Sequence, residues 1–162
     1  MVMACVGLGA NLGDAQATLR AAVAALAALP QCRLLAASRQ YRTPAWGNEA
    51  QPDFINAAVA LETTLPAEEL LAQLLATEQS FGRVRLPGQH WGPRTLDLDL
   101  LLYGEQVIDL PQLKVPHPYL HERAFALLPL ADIAADAVIP GHGTVRAALV
   151  GMKTCDITPL GG

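Results

Sequence analysis

The stretch GPRTLDLDLLLYG, from Gly92 to Gly104, decides how the rest of the chain is read. Leu96 to Tyr103 is a short apolar run closed by a glycine, the mark of a buried strand, yet it carries Asp97 and Asp99 one residue apart. Side chains alternate across a strand, so the two acids share one face, roughly 6.5–7 Å apart at Cα. Leu98, Leu100 and Leu102 then turn to the core. Two carboxylates that close repel each other, and a hard divalent cation that prefers oxygen ligands relieves the repulsion. Mg²⁺ is the natural ion. The plain alternative is a pair of solvated acids at a strand start. Arg94, with Arg83 and Arg85 further upstream, turns the balance towards a metal and a polyanion, because planar forked donors suit phosphate oxygens.

Upstream of this strand, GRVRLPGQHWGP (Gly82 to Pro93) is too long and too charged for a simple connector and reads as a mobile lid able to close over a nucleotide. Before it, Pro66, Glu68 and Glu69 start a helix that runs to Phe81 and stops at Gly82. Glu78 falls in that helix's apolar stripe, either holding an arginine or a ligand group or facing solvent at the helix end. Downstream, Gly104 to Gln106 is a turn and Val107 to Leu110 a short partner strand. VPHPYLHERAF sets His117 between two prolines and near Arg123, which favours a ligand contact or a turn role. His90, His121 and His142 read as surface residues. HERAFALLPLADIA is a helix broken by Pro129, and Thr144 to Val150 a small terminal helix.

Towards the N-terminus, Phe54 to Glu62 reads as a strand with Ile55, Ala57, Val59 and Leu61 on one face and Phe54 and Asn56 on the other. An aromatic face and an amide thereby sit side by side. Arg33 to Arg42 is a strand and Thr43 to Asp53 a loop. Ala4 to Leu8 is a strand that enters a turn at Gly7, Gly9 and Gly13, and Asp14 is an N-cap for a helix over Ala15 to Ala28. A glycine turn between strand and helix raises a dinucleotide-binding unit. The third glycine is displaced to Gly13, however, and no acid follows about 20 residues on. Helices following single strands or strand pairs in irregular order indicate an α+β fold with a mixed or antiparallel sheet.

At 162 residues the chain is one domain's worth. Its residues are 52% hydrophobic and its mean hydropathy is +0.28, but charges or prolines interrupt every apolar run before about 18 residues, so no membrane association is expected. The opening MVMACVGLGA lacks the basic region and cleavage site of a leader. Three widely spaced cysteines without a CxxC give neither a disulfide framework nor a zinc site, and fit a reducing cytoplasm. A net charge of −4 argues against general nucleic-acid binding. Four of the nine arginines nevertheless lie between residues 83 and 123, with Asp97, Asp99 and His117. A small polyanion with its metal fits there, and a monomer is the default state.

Taken in order, RTPAWGNEAQPDFINAAVALET, FGRVR, WGPRTLDLDLLLYG and VPHPYLHERAF resemble the 6-hydroxymethyl-7,8-dihydropterin pyrophosphokinase family, over Gly7 to about Ile133. The resemblance implies a ferredoxin-like αβα sandwich around a mainly antiparallel sheet. It implies transfer of the ATP pyrophosphoryl group to the pterin hydroxymethyl, giving AMP, in folate biosynthesis. Asp97 and Asp99 would hold two Mg²⁺. Glu78, Arg83, Arg85, Arg94, His117 and Arg123 would surround ATP, with Arg85, Arg94 and His117 stabilising charge on the leaving side. Thr43, Pro44 and Trp46 would edge the pterin pocket, Asn56 would read the pterin's amide and amine edge, Phe54 and Phe125 would sandwich the ring, and Trp91 would close with the lid. Ala10 stands where serine is usual, Trp46 replaces a commoner aliphatic residue, and LPGQH alters the lid. The last 25 or so residues match weakly and receive no role. A sugar-nucleotide site built on DxD and a dinucleotide module are the alternatives; both leave Phe54 and Asn56 unexplained.

Overall fold

The computed structural model describes residues 1–44, 53–82 and 96–160. In chain order these form β1 (Val2–Ala10), α1 (Ala15–Ala27), β2 (Cys32–Ala37), β3 (Tyr41–Thr43), β4 (Phe54–Thr63), α2 (Ala67–Ser80), β5 (Asp97–Tyr103), β6 (Ile108–Leu110), β7 (Leu113–Val115), a 3₁₀ turn (Leu120–Glu122), α3 (Ala124–Ala134), β8 (Val138–Ile139), β9 (Gly143–Thr144), α4 (Val145–Leu149) and β10 (Thr158–Pro159). The helix ends follow local chemistry. The Asp14 side chain accepts the Ala17 N–H at 3.0 Å and so satisfies one of the orphan donors of the first turn of α1. Pro66 has no N–H to lose ahead of α2, and Gly82 leaves that helix at φ +86°.

β1 is central. It pairs with β5 on one side and β4 on the other, and β4 carries β2 and β3 along its far edge, every pairing being antiparallel. Counting β2 and β3 as one interrupted strand, four strands run in the order fourth, first, third, second, with α1 after the first and α2 after the third. This is the ferredoxin-like arrangement. β10 adds a further strand beside β3, pairing Thr158 with Arg42 and Pro159 with Tyr41, so part of the C-terminal stretch that matches weakly and received no role has a structural place.

Period-two alternation gives the sheet two apolar faces. Ala4, Val6, Leu8 and Ala10 of β1, Ile55, Ala57, Val59 and Leu61 of β4, and Leu98 and Leu100 of β5 pack against Leu19, Ala22 and Leu26 of α1 and Leu70 and Leu74 of α2. Each leucine so buried contributes roughly 1.5–3 kcal/mol relative to exposure. On the other face Cys5, Ala58, Leu101 and Leu102 meet Leu127 and Leu130 of α3, with Ile139 and Val145 behind. Burial pushes the Cys5 thiol up to about 12, so it stays protonated and inert.

Several local expectations are corrected. Leu102 does not share the face of Leu98 and Leu100: Val6 pairs with Leu100 but Cys5 with Leu102, so Leu101 is an extra residue at a β-bulge and the alternation changes phase there. Gly7 and Gly9 lie inside β1, not in a turn. Arg33 to Arg42 is two strands, because the Ser38 hydroxyl accepts the Ala58 N–H at 2.8 Å and takes a place in the ladder. The short strand after the Gly104 turn pairs with Leu113–Val115 and not with β5. Pro129 does not break α3: the helix runs through it, and the interruption falls at Arg123, between the 3₁₀ turn and α3.

Candidate active site

The pairing register lines up one row of residues on the sheet face that carries α3. Asp97 is opposite Gly9 and Asp99 opposite Gly7; Gly9 is opposite Asn56, Asn56 opposite Tyr41, and Phe54 opposite Thr43. Directly paired residues point the same way. The acids, the amide and the aromatic ring expected from sequence therefore share a face, with two residues lacking side chains between them. A Cβ on Gly9 would sit 3.1 Å from Asn56 Oδ1, and one on Gly7 3.3 Å from Leu101 Cδ1. The glycines thus keep a shallow trough open between the acids and Asn56 and let its amide lie low over β1. Their signal in sequence was a GxG inside an alternating strand.

Asn56 is held from its other side, its Nδ2 donating to Thr43 Oγ1 at 3.2 Å, with Thr43 only 5% exposed. One amide hydrogen is spent, leaving a donor and the Oδ1 acceptor for a ligand. Behind this corner the buried Tyr41 hydroxyl donates to Asp132 Oδ2 at 2.7 Å and so ties β3 to α3. Arg39 joins the same cluster, its guanidinium donating to the Tyr41 hydroxyl at 3.3 Å.

Glu78 does not face solvent. It is 2% exposed, and its Oε2 accepts the Leu98 N–H at 2.7 Å. β5 is the last strand of its sheet among the described residues, so a side chain from α2 takes the place of a neighbouring strand at the N–H of Leu98, the residue between Asp97 and Asp99. Tyr103, at the far end of β5, donates its hydroxyl to the Leu65 carbonyl. The strand bearing the acids is thereby fixed at both ends to the start and end of α2.

His117 is anchored to the same strand, its N–H donating to the Leu101 carbonyl at the bulge at 3.0 Å. Burial lowers its imidazole below the usual 6.5, Arg123 lowers it further, and Asp97 partly opposes them. His117 therefore stands in the fields of both Asp97 and Arg123 and favours its neutral form. Arg123 lies over two rings, those of Tyr119 and Phe125. Phe125 is half-buried in the first turn of α3. Pro44 follows Thr43 at the edge of the described residues. Trp46, Arg83, Arg85, Trp91 and Arg94 lie outside them, as does most of the proposed lid.

The donor set suits Mg²⁺. Asp97 and Asp99 present hard carboxylate oxygens of the kind this ion takes one or two of at a time, and among the described residues no three histidine, cysteine or carboxylate side chains cluster as a metal site. No described helix is long and apolar enough to cross a membrane.

The family model for 7,8-dihydro-6-hydroxymethylpterin-pyrophosphokinase matches residues 5–135. A curated relative from Methylorubrum extorquens, a 2-amino-4-hydroxy-6-hydroxymethyldihydropteridine pyrophosphokinase, is 51% identical over 150 residues, 92% of each chain. One of the same name from Pseudomonas aeruginosa is 49% identical over 135 residues, 83% of this chain and 82% of the relative. Among solved structures, a Plasmodium falciparum HPPK-DHPS triple mutant is similar at a TM-score of 0.69 and 14% identity, over 91% of this chain. That match spans 43% of the longer Plasmodium chain and speaks for the fold alone.

Proposed function

This chain belongs to the 7,8-dihydro-6-hydroxymethylpterin-pyrophosphokinase family, and on that premise we propose how it carries out its reaction, the transfer of pyrophosphate to hydroxymethyldihydropterin in folate biosynthesis. The donor is ATP and the second product AMP, and Asp97 and Asp99 would hold two Mg²⁺. The observation that carries this reading is the single row of side chains on one sheet face, running from the two acids across Gly7 and Gly9 to Asn56 and Phe54. Bound magnesium would supply charge neutralisation of the phosphates. The remaining work belongs to the chain, because pyrophosphoryl transfer asks for alignment more than covalent chemistry.

Phe54 stacks one face of the pterin and Phe125 the other, while Asn56, oriented by Thr43, pairs with the ring's amide and amine edge beside Pro44 and Trp46. This sets the hydroxymethyl group at the acid end of the trough. The neutral His117 imidazole offers one N–H, and Arg123 a forked pair of donors, to phosphate oxygens. Arg83, Arg85 and Arg94 complete the cationic side, and Trp91 shields the pterin from water. Glu78 belongs to this machinery through β5: its carboxylate holds the N–H of Leu98, the residue between the two acids, which supports a positioning role near the nucleotide. The three cysteines are free thiols, which supports a cytoplasmic setting, and the enzyme acts as a monomer on small molecules with no nucleic-acid partner.

Product analysis tests the reading. With ATP, Mg²⁺ and 6-hydroxymethyl-7,8-dihydropterin, AMP should form only when the pterin is present, and the Asp97→Asn/Asp99→Asn double variant should lose several orders of magnitude in rate while staying folded in thermal melts. ADP as the product, or near-normal turnover in the double variant, would refute it.

A further inference from the structure

Two aromatic rings hold one arginine. The Arg123 guanidinium carbon lies 5.3 Å from the centroid of the Tyr119 ring and 5.8 Å from that of Phe125. Both distances are within cation–π range. The backbone accounts for the meeting: Tyr119 precedes the 3₁₀ turn, Arg123 joins that turn to α3 at φ −111° and ψ 96°, and Phe125 is the second residue of α3. The Arg123 N–H donates to the Leu120 carbonyl at 3.2 Å, and its own carbonyl accepts from the Ala126 and Leu127 N–H groups at 3.0 and 2.9 Å. With the main chain pinned on both sides, the freedom left is in the long side chain, where the rings act.

Tyr119 is 56% exposed, so apolar burial does not explain its place. Its ring touches the guanidinium instead. Arg123 in turn acts electrostatically on His117, as Asp97 does from the acid-bearing strand. We infer that Tyr119 is a positioning residue for the transfer reaction, its ring holding the Arg123 guanidinium so that its forked donors meet the polyphosphate of the nucleotide. The inference rests on the role proposed above for Arg123.

Steady-state kinetics of the full chain at saturating Mg²⁺ test it, with Tyr119→Leu, Tyr119→Phe, Arg123→Ala and the Tyr119→Leu/Arg123→Ala double variant, each checked by thermal melting. Tyr119→Leu should lower kcat/KM for ATP about two- to five-fold, the worth of an exposed cation–π contact, with KM for the pterin and the melting temperature unchanged. Tyr119→Phe should restore kcat/KM, since the ring is what acts. In the Arg123→Ala background Tyr119→Leu should have no further effect, because a residue acting through another loses its effect when that other is gone. An equal loss in that background would mean that Tyr119 contacts the substrate directly, and would overturn the inference. So would a Tyr119→Leu variant with full activity beside an impaired Arg123→Ala. If Arg123→Ala itself is fully active, the proposed role of Arg123 fails, and the inference fails with it.

Discussion

Replacing Glu78 by methionine should separate two effects that this one carboxylate combines. Glu78→Met keeps the bulk of a side chain that is 2% exposed but removes the acceptor of the Leu98 N–H, 2.7 Å away, at a residue itself only 5% exposed. Orphaning a buried amide costs about 1–3 kcal/mol. For a domain of this size each kcal/mol moves the midpoint by about 2–4 °C, so Glu78→Met should melt roughly 2–12 °C lower. Glu78→Gln keeps an oxygen acceptor and gives up only the charge, so it should lose about 1 kcal/mol or less. The catalytic consequence is measured well below either midpoint, as the Mg²⁺ concentration for half-maximal AMP release. If the Leu98 peptide sets the spacing of Asp97 and Asp99, that concentration rises for methionine more than for glutamine, in the order of the melts. A methionine variant with wild-type midpoint and wild-type Mg²⁺ dependence would show that β5 does not need this contact.

Asn56→Ala should weaken pterin binding roughly 5- to 150-fold, the equivalent of a lost buried hydrogen-bond partner, and leave nucleotide binding unchanged; equal pterin affinity in calorimetry would remove Asn56 from the site. His117 has a folded value below its ordinary 6.5, so the unfolded chain takes up the proton first as pH falls. The stability associated with neutral His117 is therefore complete above about pH 6.5 and is lost as pH falls through the lower, folded value. Melts in chelator from pH 8 to pH 5 should show a loss in the wild type that His117→Asn reduces, and parallel curves would contradict the assignment.

What could be read from sequence was what obeys a short period. Asp97 and Asp99 alternate with leucines, Phe54 and Asn56 with Ile55 and Ala57, and both strands present the expected faces. Asp14 caps α1 through contacts three residues away. The errors share a different physics. Nothing in LLLY marks which leucine is the extra one, because each suits either apolar face and only the path of β1 decides. Pairing across a nearby turn is the local default, yet β5 has its outward amide taken by Glu78, 20 residues earlier in the chain. Gly7 and Gly9 suggest a turn as isolated residues and a strand once the Leu101 side chain closes on the first and the Asn56 amide on the second. Tyr119 lies within VPHPYLHERAF but nothing there gave it a role of its own, and its relation to Arg123 comes from how a 3₁₀ turn hands over to α3.

The extra residue at Leu101 also sets what kinds of genetic change β5 can absorb. Upstream of it the strand keeps Asp97 and Asp99 on the open face; downstream it sends Leu102 to one core and Tyr103 to the other. A codon lost between Leu100 and Leu102 forces one half to reverse its facing, since a one-residue slip exchanges inside for outside. Either the acids are driven into the layer beneath α1 and α2, or Leu102 and Tyr103 leave the cores they fill. Exchanges of one side chain for another at these positions are graded in cost, whereas a change in length is not, so this segment can drift in spelling while its residue count stays locked.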